Sequence, residues 1–199
     1  MSHVYVTSDW HIGHSGIWHK FRTRYASDAE HDYDILGRAL GTVTKRDVLF
    51  VLGDVTWTQK GLETIDSMKF PCKLIMIGGN HDTLSAADYL SVFDEMYGAY
   101  YYKGCWLTHI PIHESELRGK RNVHGHCHAG GPNNHQLGEY WYVYYNAILE
   151  YNNYTPTNFQ EVLQKLKEQK ETVYDPNHSS RNRVPLNSSS TSSSKSSDT

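Results

Sequence analysis

The sequence has few cysteines and no long apolar segment. Its 199 residues include three cysteines, Cys72, Cys105 and Cys127, without a Cys-x-x-Cys spacing, so neither a disulfide framework nor a cysteine zinc site is indicated. No stretch approaches the roughly 20 apolar residues that span a bilayer, and the first residues lack the charged-then-apolar order of a signal peptide. We therefore expect a soluble, cytoplasmic protein with no membrane partner.

An excess of charge of one sign is also lacking. The chain has 19 Lys and Arg against 22 Asp and Glu, a formal net charge of -3. This balance disfavours the broad phosphate-neutralising surface of a nonspecific nucleic-acid binder, so we expect no stable nucleic-acid complex. The length suits one domain with a sizeable core, and nothing in the pattern indicates an oligomeric state.

Histidine, by contrast, is abundant. Thirteen histidines exceed what structure usually requires, which indicates that several are ligands or proton carriers. Four of them lie in polar surroundings and are expected on the surface: His3, His31, His135 and His178.

Apolar periodicity predicts an α/β protein. Short strand-like runs occupy 3–7, 48–52, 73–77, 105–108, 122–123 and 141–145. Helical spacing of apolar residues occupies 32–40, 62–68 and 158–170. The alternation of strand and helix favours α/β layering over residues 1–175. Residues 176–199 are rich in Ser and too poor in apolar surface to fold, so a disordered tail is expected there.

Five short polar segments follow these apolar runs. They are SDWHIGH at 8–14, GDV at 53–55, GGNHD at 78–82, THIP at 108–111 and HGHCH at 124–128. Loops at the carboxyl ends of strands are where α/β sheets place ligands and catalytic groups. Asp9 and His11 are two residues apart, as are His126 and His128, so an extended backbone would point each pair to one side. The segments therefore predict a single metal centre.

The donor set also predicts a chemistry. Asp54 offers a carboxylate that can bridge two ions, and Gly53 before it lets the backbone come close. Two divalent ions about 3.5–4 Å apart would bind phosphate oxygens and hold a hydroxide between them, in line with the leaving group. This arrangement needs no protein nucleophile, so we expect a metal-dependent hydrolase.

The five segments resemble the calcineurin-like metallophosphoesterase superfamily, whose pattern is DxH, GD, GNH[DE], H and GHxH in this order. The SDxHxGH segment and the compact size are most similar to small members from bacteria and their phages. The resemblance covers about residues 1–171. It implies a four-layer α/β/β/α sandwich of two mixed sheets packed face to face, with helices outside and the metals at one edge.

The resemblance also implies a role for each matching residue. The ligands would be Asp9, His11 and His128 for the first ion, Asn80, His109 and His126 for the second, and Asp54 for both. His81 would protonate the leaving oxygen, while Asp82 would orient its ring and raise its pKa. We expect two divalent ions, with Mn²⁺ preferred and Fe, Zn or Ni as alternatives.

Residues beside the motifs are weaker candidates for substrate contacts. His14 completes the first segment, and arginines can bind a phosphate through two N–H groups at once. The candidates for phosphate or substrate contact are His14, Arg22, Arg24 and Arg118, and those for stacking on a base are Trp10, Trp57 and Tyr102. His113 and His124 flank the motifs and have no assigned role. For each arginine a solvated surface position is the simpler interpretation, and for each aromatic residue a packing role is.

Departures from the family pattern narrow the reaction. Protein serine/threonine phosphatases carry GDxVDRG and GNHE, where this chain has GDVTWTQ and GNHD, and the double-strand-break nucleases place a histidine where Trp57 and Thr58 stand. We therefore expect hydrolysis of a small phosphodiester, or a phosphomonoester, that is nucleotide-like or derived from nucleic acid. The alternatives are a protein phosphatase and a non-catalytic interaction module with the same fold.

Overall fold

A computed structural model describes residues 1–128 and 138–174 of the chain. The predicted tail at 176–199, His135 and His178 lie outside these residues. The strands are β1 Val4–Thr7, β2 Val48–Leu52, β3 Lys73–Ile77, β4 Glu95–Tyr97, β5 Tyr100–Tyr102, β6 Cys105–Leu107, β7 Arg121–His124, β8 Tyr144–Asn146 and β9 Thr157–Asn158. The α-helices are α1 Ser15–Lys20, α2 Asp28–Thr42, α3 Gln59–Ser67, α4 Ala86–Tyr89, α5 Glu114–Leu117 and α6 Phe159–Tyr174. Two 3-10 helices span Gly138–Val143 and Leu149–Tyr151.

The strands form two mixed sheets. The first has the order β4-β3-β2-β1-β9, parallel except for β9, and the second has the order β5-β6-β7-β8, parallel except for β5. The long apolar runs became the central strands β2 and β3, because strands covered on both faces are apolar throughout. The predicted α/β fold with two mixed sheets and helices is confirmed.

The two sheets pack face to face because side chains alternate along each strand. Phe50 and Leu52 of β2 point toward the second sheet, where Leu107 and Val123 share one buried cluster with them. The intervening residues of β2, Leu49 and Val51, pack in a second cluster with α2 and α3. The first sheet is therefore covered by helices on one face and by a sheet on the other.

The outer face of the second sheet is covered by the segment before α5. Asn122 of β7 accepts a hydrogen bond from the Ile112 backbone N–H at 2.8 Å, and Tyr144 of β8 donates to the Ile112 carbonyl at 2.7 Å. These bonds hold the segment at Ile112 against β7 and β8. The segment also carries the chain from the end of β6 to the start of β7.

Helix boundaries are set by capping residues that periodicity overlooked. The α2 helix begins at Asp28 rather than 32, because the Ser27 side chain accepts the Glu30 N–H, and Thr58 caps α3 in the same way. The aromatic run 141–145 is only partly a strand: β8 begins at Tyr144, where its pairing with Asn122 begins. Among the described residues no helix is long and apolar enough to cross a membrane.

Candidate metal centre

Five loops of the two sheets meet at one edge. The loops after β1, β2 and β3 come from the first sheet, and those after β6 and β7 from the second. They assemble two groups of potential metal ligands: Asp9, His11 and His128 form the first group, and Asp54, His109 and His126 form the second. Within each group one donor atom per residue lies within 4.8 Å of the others. Side chains up to 119 positions apart in the sequence thus converge on two small volumes.

The first group has the spacing of atoms that share an ion. Nε2 of His11 is 3.2 Å from Nε2 of His128, which is 3.3 Å from Oδ1 of Asp9. Ligands that lie about 2.1 Å from one ion are about 3 Å apart, as these atoms are. Oδ1 of Asp9 is buried and has no hydrogen-bond donor among the described residues, whereas Oδ2 accepts from the Ser8 hydroxyl at 2.5 Å and the His126 N–H at 2.9 Å. The carboxylate is thus fixed by one oxygen and presents the other, which fits a cation.

The second group connects to the first through Asp54. Its Oδ1 lies 3.3 Å from Nε2 of His109, while its Oδ2 lies 3.8 Å from Nε2 of His11. Asn80 joins this group, because its Oδ1 is 2.9 Å from the same His109 nitrogen. The two oxygens of one carboxylate face different groups, which is the arrangement a bridging ligand requires. All seven predicted ligands therefore lie together, and their binding of metal stays a prediction.

The backbone reaches this arrangement through left-handed residues. Asp9, His11, Asp54 and His126 have φ values of 58°, 51°, 50° and 67°. Such values cost a non-glycine residue roughly 1–2 kcal/mol each and cluster at functional sites. The expectation that an extended backbone aligns Asp9 with His11, and His126 with His128, was therefore wrong. Instead the turns are held by loop-to-loop bonds, for example from the His11 N–H to the Asp54 carbonyl at 2.9 Å.

Close approach of two glycines joins the loops after β2 and β3. Gly53 has φ 80°, and a Cβ placed there would lie 2.7 Å from the Gly79 Cα and 2.7 Å from Nδ1 of His109. A Cβ on Gly79 would lie 2.2 Å from the Asp54 backbone nitrogen. The predicted close approach of the backbone at Gly53 is present, and it brings Asp54 against Asn80 and His109.

The first group attracts positive charge. Burial would raise the pKa of Asp9, but the neighbouring imidazoles of His11 and His128 hold it well below its usual range. Burial would lower the pKa of His128, yet the carboxylates of Asp9 and Glu150 raise it to about 9. A divalent ion would replace the proton that the carboxylates favour on this imidazole, since metal ligands must be deprotonated.

Asp82 does not hold the His81 ring, contrary to the expectation. Among the described residues its hydrogen bonds come from backbone N–H groups alone: Asp54 at 2.9 Å, Val55 at 2.8 Å, Thr56 at 3.3 Å and Gly79 at 2.8 Å. A carboxylate that gathers these donors fixes the GD loop against the GNHD loop. Asp82 therefore holds the loops after β2 and β3 together, and burial raises its pKa to about 6.

His81 lies exposed at the rim of the two groups. Its backbone N–H donates to Oδ1 of Asp54 at 2.9 Å, which ties the residue to the centre. The Trp57 ring lies 5.6 Å from the His81 ring and 4.3 Å from that of His14, with centroids as end points. His14 is half-buried and also accepts the Gly16 N–H at the start of α1. The predicted acid and one predicted substrate residue thus both contact the Trp57 ring beside the centre.

Arg22 and His31 are buried, which corrects two expectations. Arg22 is 1% exposed and cannot reach a substrate phosphate. Its guanidinium donates to the Asp9 and Trp10 carbonyls at 2.5 and 3.1 Å and to Glu150 at 3.1 Å, and it lies 2.7 Å from Nε2 of His31. His31 was expected on the surface but is fully buried, because it links this arginine to α2.

The remaining candidates lie elsewhere. Trp10 is fully buried and stacks on Phe70, so the prediction that it stacks on a base is wrong. Tyr102 packs on Phe50 and Phe159 between the sheets, so its ring has a packing role.

Neither of the other two arginines contacts a ligand group. Arg24 lies over the rings of Tyr25 and Tyr154. Exposed Arg118 borders a surface cleft with Tyr101 and Trp106. His113 caps α5, and His124 is buried, with burial lowering its pKa to about 4.

Three residues of the site were not predicted from the sequence. Glu150 accepts from Nδ1 of His128 at 2.9 Å, Ser8 fixes Asp9, and the half-exposed Phe21 stacks on His128 with ring centroids 5.2 Å apart. Ser8 opens the first motif segment and was visible there. Glu150 ends the apolar run 147–149, a carboxylate at the end of a buried segment, and this was its only signal.

Comparisons with known proteins identify a family and a similar fold. A family model described as calcineurin-like phosphoesterase matches residues 2–195. No curated protein matches the chain. A crystal structure of a protein of unknown function from Aquifex aeolicus is similar with a TM-score of 0.63 and 24% identity, over 82% of this chain and 99% of that one. At this identity the similarity supports the fold alone.

Proposed function

The chain belongs to the calcineurin-like phosphoesterase family, and we propose that it hydrolyses phosphodiester bonds of small, nucleotide-like substrates at a centre of two divalent ions. The observation that carries the proposal is the position of Asp54, whose two carboxylate oxygens face two separate ligand groups. When bound, two divalent ions supply the positive charge that orients a phosphoryl group and lowers the pKa of water.

The side chains around the two groups have separate duties. We assign to His81, whose imidazole is exposed at the rim, the role of protonating the leaving oxygen as a general acid. The Trp57 ring lies beside that of His81, and the Phe21 ring lies beside that of His128. Aromatic rings at these positions exclude water and can stack on a flat leaving group such as a nucleobase.

The arginine beside the first ligand group favours a diester substrate, because its guanidinium is not available to a phosphate. Among the described residues Arg22 contacts the first ligand group, but it is buried and bonded to carbonyls and Glu150. A phosphomonoester carries a second negative charge and would gain more from such a cation than a singly charged diester does. The net charge of -3 likewise favours a small substrate over a long nucleic acid.

Turnover of two chromogenic esters tests the proposal. With Mn²⁺ added, the protein should hydrolyse bis-p-nitrophenyl phosphate faster than p-nitrophenyl phosphate. Asp54→Ala should reduce the rate more than about 100-fold, because it removes a ligand of both groups. Asp66→Ala, on the exposed face of α3, is the matched control and should keep wild-type turnover. Equal turnover by both variants would contradict the two-ion assignment.

The leaving group tests the role of His81. p-Nitrophenolate departs without a proton, whereas an alkoxide such as a ribose oxygen needs one. His81→Ala should therefore reduce hydrolysis of a dinucleotide by about 10²–10⁴-fold and that of bis-p-nitrophenyl phosphate much less. The same loss with both substrates would exclude a general acid role. Assaying 2′,3′-cyclic and 3′,5′-cyclic nucleotides beside the dinucleotide would define the substrate class.

A further inference from the structure

Glu150 lies beside the first ligand group without belonging to it. Its Oε1 is 2.9 Å from Nδ1 of His128 and 3.1 Å from Nε of Arg22, and its side chain is 7% exposed. The other ring nitrogen of His128 faces Asp9 and His11. We infer that Glu150 is a positioning residue that holds His128 in the ligand orientation and so sets the affinity of the first ion site. The inference rests on the proposed two-ion centre.

The hydrogen bond to Glu150 selects the form of His128 that binds a cation. A histidine ligand uses a neutral ring, and the bond made by one nitrogen decides which nitrogen carries the proton. A carboxylate at Nδ1 accepts the proton there, so the lone pair lies at Nε2, toward Asp9. Such a carboxylate also makes the ring more basic and stops it from rotating.

Arg22 keeps Glu150 charged and aligned in a buried position. The arginine pairs with Glu150 and donates to the carbonyls of Asp9 and Trp10. The Arg22 guanidinium therefore connects Glu150, which holds His128, with the left-handed backbone at Asp9. The network continues through His31 into α2, so the first ligand group is built on a helix as well as on loops.

The other ligand histidines have weaker support. Nδ1 of His109 lies 2.8 Å from the neutral carbonyl of Leu52. Nδ1 of His11 is buried and has no hydrogen-bond partner in the part of the chain that the structure describes. Within the described residues, His128 is the ligand whose second ring nitrogen meets a carboxylate. The second group is also more open, because Asn80 and His126 are exposed. We therefore expect the first site to be the tighter one.

Calorimetric titration of the full chain, stripped of metal, tests the inference with Mn²⁺ or Zn²⁺. The wild type should bind two ions with different affinities. Glu150→Gln should weaken the tighter event by about 10–100-fold and leave the weaker one unchanged. Glu150→Asp, which keeps the charge, should recover part of the loss. Glu161→Gln, an exposed glutamate on α6, should match the wild type.

The His126→Ala variant shows which binding step belongs to which group, because in this variant only the first group keeps all its ligands. The remaining event should be the one that Glu150→Gln weakens. Two ions bound with wild-type affinities by Glu150→Gln would overturn the role of Glu150 and leave the proposed function intact, even if the variant melted at a lower temperature. A wild type that binds no ion would overturn both.

A measurement on the wild type needs no variant to fold. In the Zn²⁺-loaded protein, the imidazole nitrogen spectrum of His128 should show a proton on Nδ1 and the metal on Nε2. A ring that binds Zn²⁺ through Nδ1 would overturn the inference, because Glu150 could not then accept from that nitrogen.

Discussion

Replacing a glycine with alanine should change the free energy of unfolding in opposite directions at two positions of this chain. Gly37 lies exposed in α2, and a Cβ there would meet nothing within 4 Å. Glycine in a helix is conformationally costly, so Gly37→Ala should raise the free energy of unfolding by about 0.5–1 kcal/mol. Urea denaturation measures this change, and turnover should be unaffected.

Gly53→Ala is the counterpart at the centre. The new methyl would meet backbone at 2.7 Å and require φ 80° of a non-glycine residue. These two effects should lower the free energy of unfolding by roughly 2–5 kcal/mol and abolish turnover by displacing Asp54. A Gly53→Ala protein as stable as Gly37→Ala would show that the two loops do not approach as closely as described.

At the scale of elements, Asp47 joins the start of β2 to β1. Its Oδ1 accepts the His3 N–H at 2.7 Å, and its Oδ2 accepts both the N–H and the hydroxyl of Thr44 at 2.8 Å. The hydrogen bond from His3 is the main cause that lowers the pKa of Asp47. Asp47→Asn should therefore lower the melting temperature by several degrees at pH 7.

The pH dependence of this effect has a definite sign. A carboxyl whose pKa is lower in the folded state stabilises fully above its unfolded pKa of about 3.9 and loses this contribution as the pH falls through the folded value. The difference in melting temperature between wild type and Asp47→Asn should be constant from pH 7 to about pH 5 and shrink below about pH 4. A difference that grew on acidification would contradict the described contacts.

At the scale of the whole molecule, metal binding should stabilise the fold. The ligands come from loops of both sheets, so an ion that binds the folded chain connects the sheets at the edge where they meet. Mn²⁺ at 100 times its dissociation constant should add about 2.7 kcal/mol to the free energy of unfolding. Thermal melts with increasing Mn²⁺ measure this effect. Asp54→Ala should lose most of the shift, and Asp66→Ala should keep it.

Much of the molecule could be predicted from local patterns. The central strands are continuous apolar runs, and a strand buried on both faces admits little else. Each of the five motif segments follows a predicted strand, so its position at the sheet edge follows from strand direction. Capping residues such as Ser27 and Thr58 were present in the sequence but carry a weaker signal than periodicity, and the helices were therefore predicted too short.

The sequence by itself determined the α/β class, and its resemblance to a family added the two mixed sheets and the seven residues that converge at one edge. Only the tertiary structure revealed the contacts of Arg22, Asp82 and Glu150, because no local pattern encodes them. Arg22 and Glu150 are 128 residues apart in the chain, and Asp82 accepts from backbone donors that carry no sequence identity. Arg22 was predicted to bind a substrate phosphate, but it is buried and supports the site from inside. A guanidinium removed from water must find hydrogen-bond acceptors within the protein.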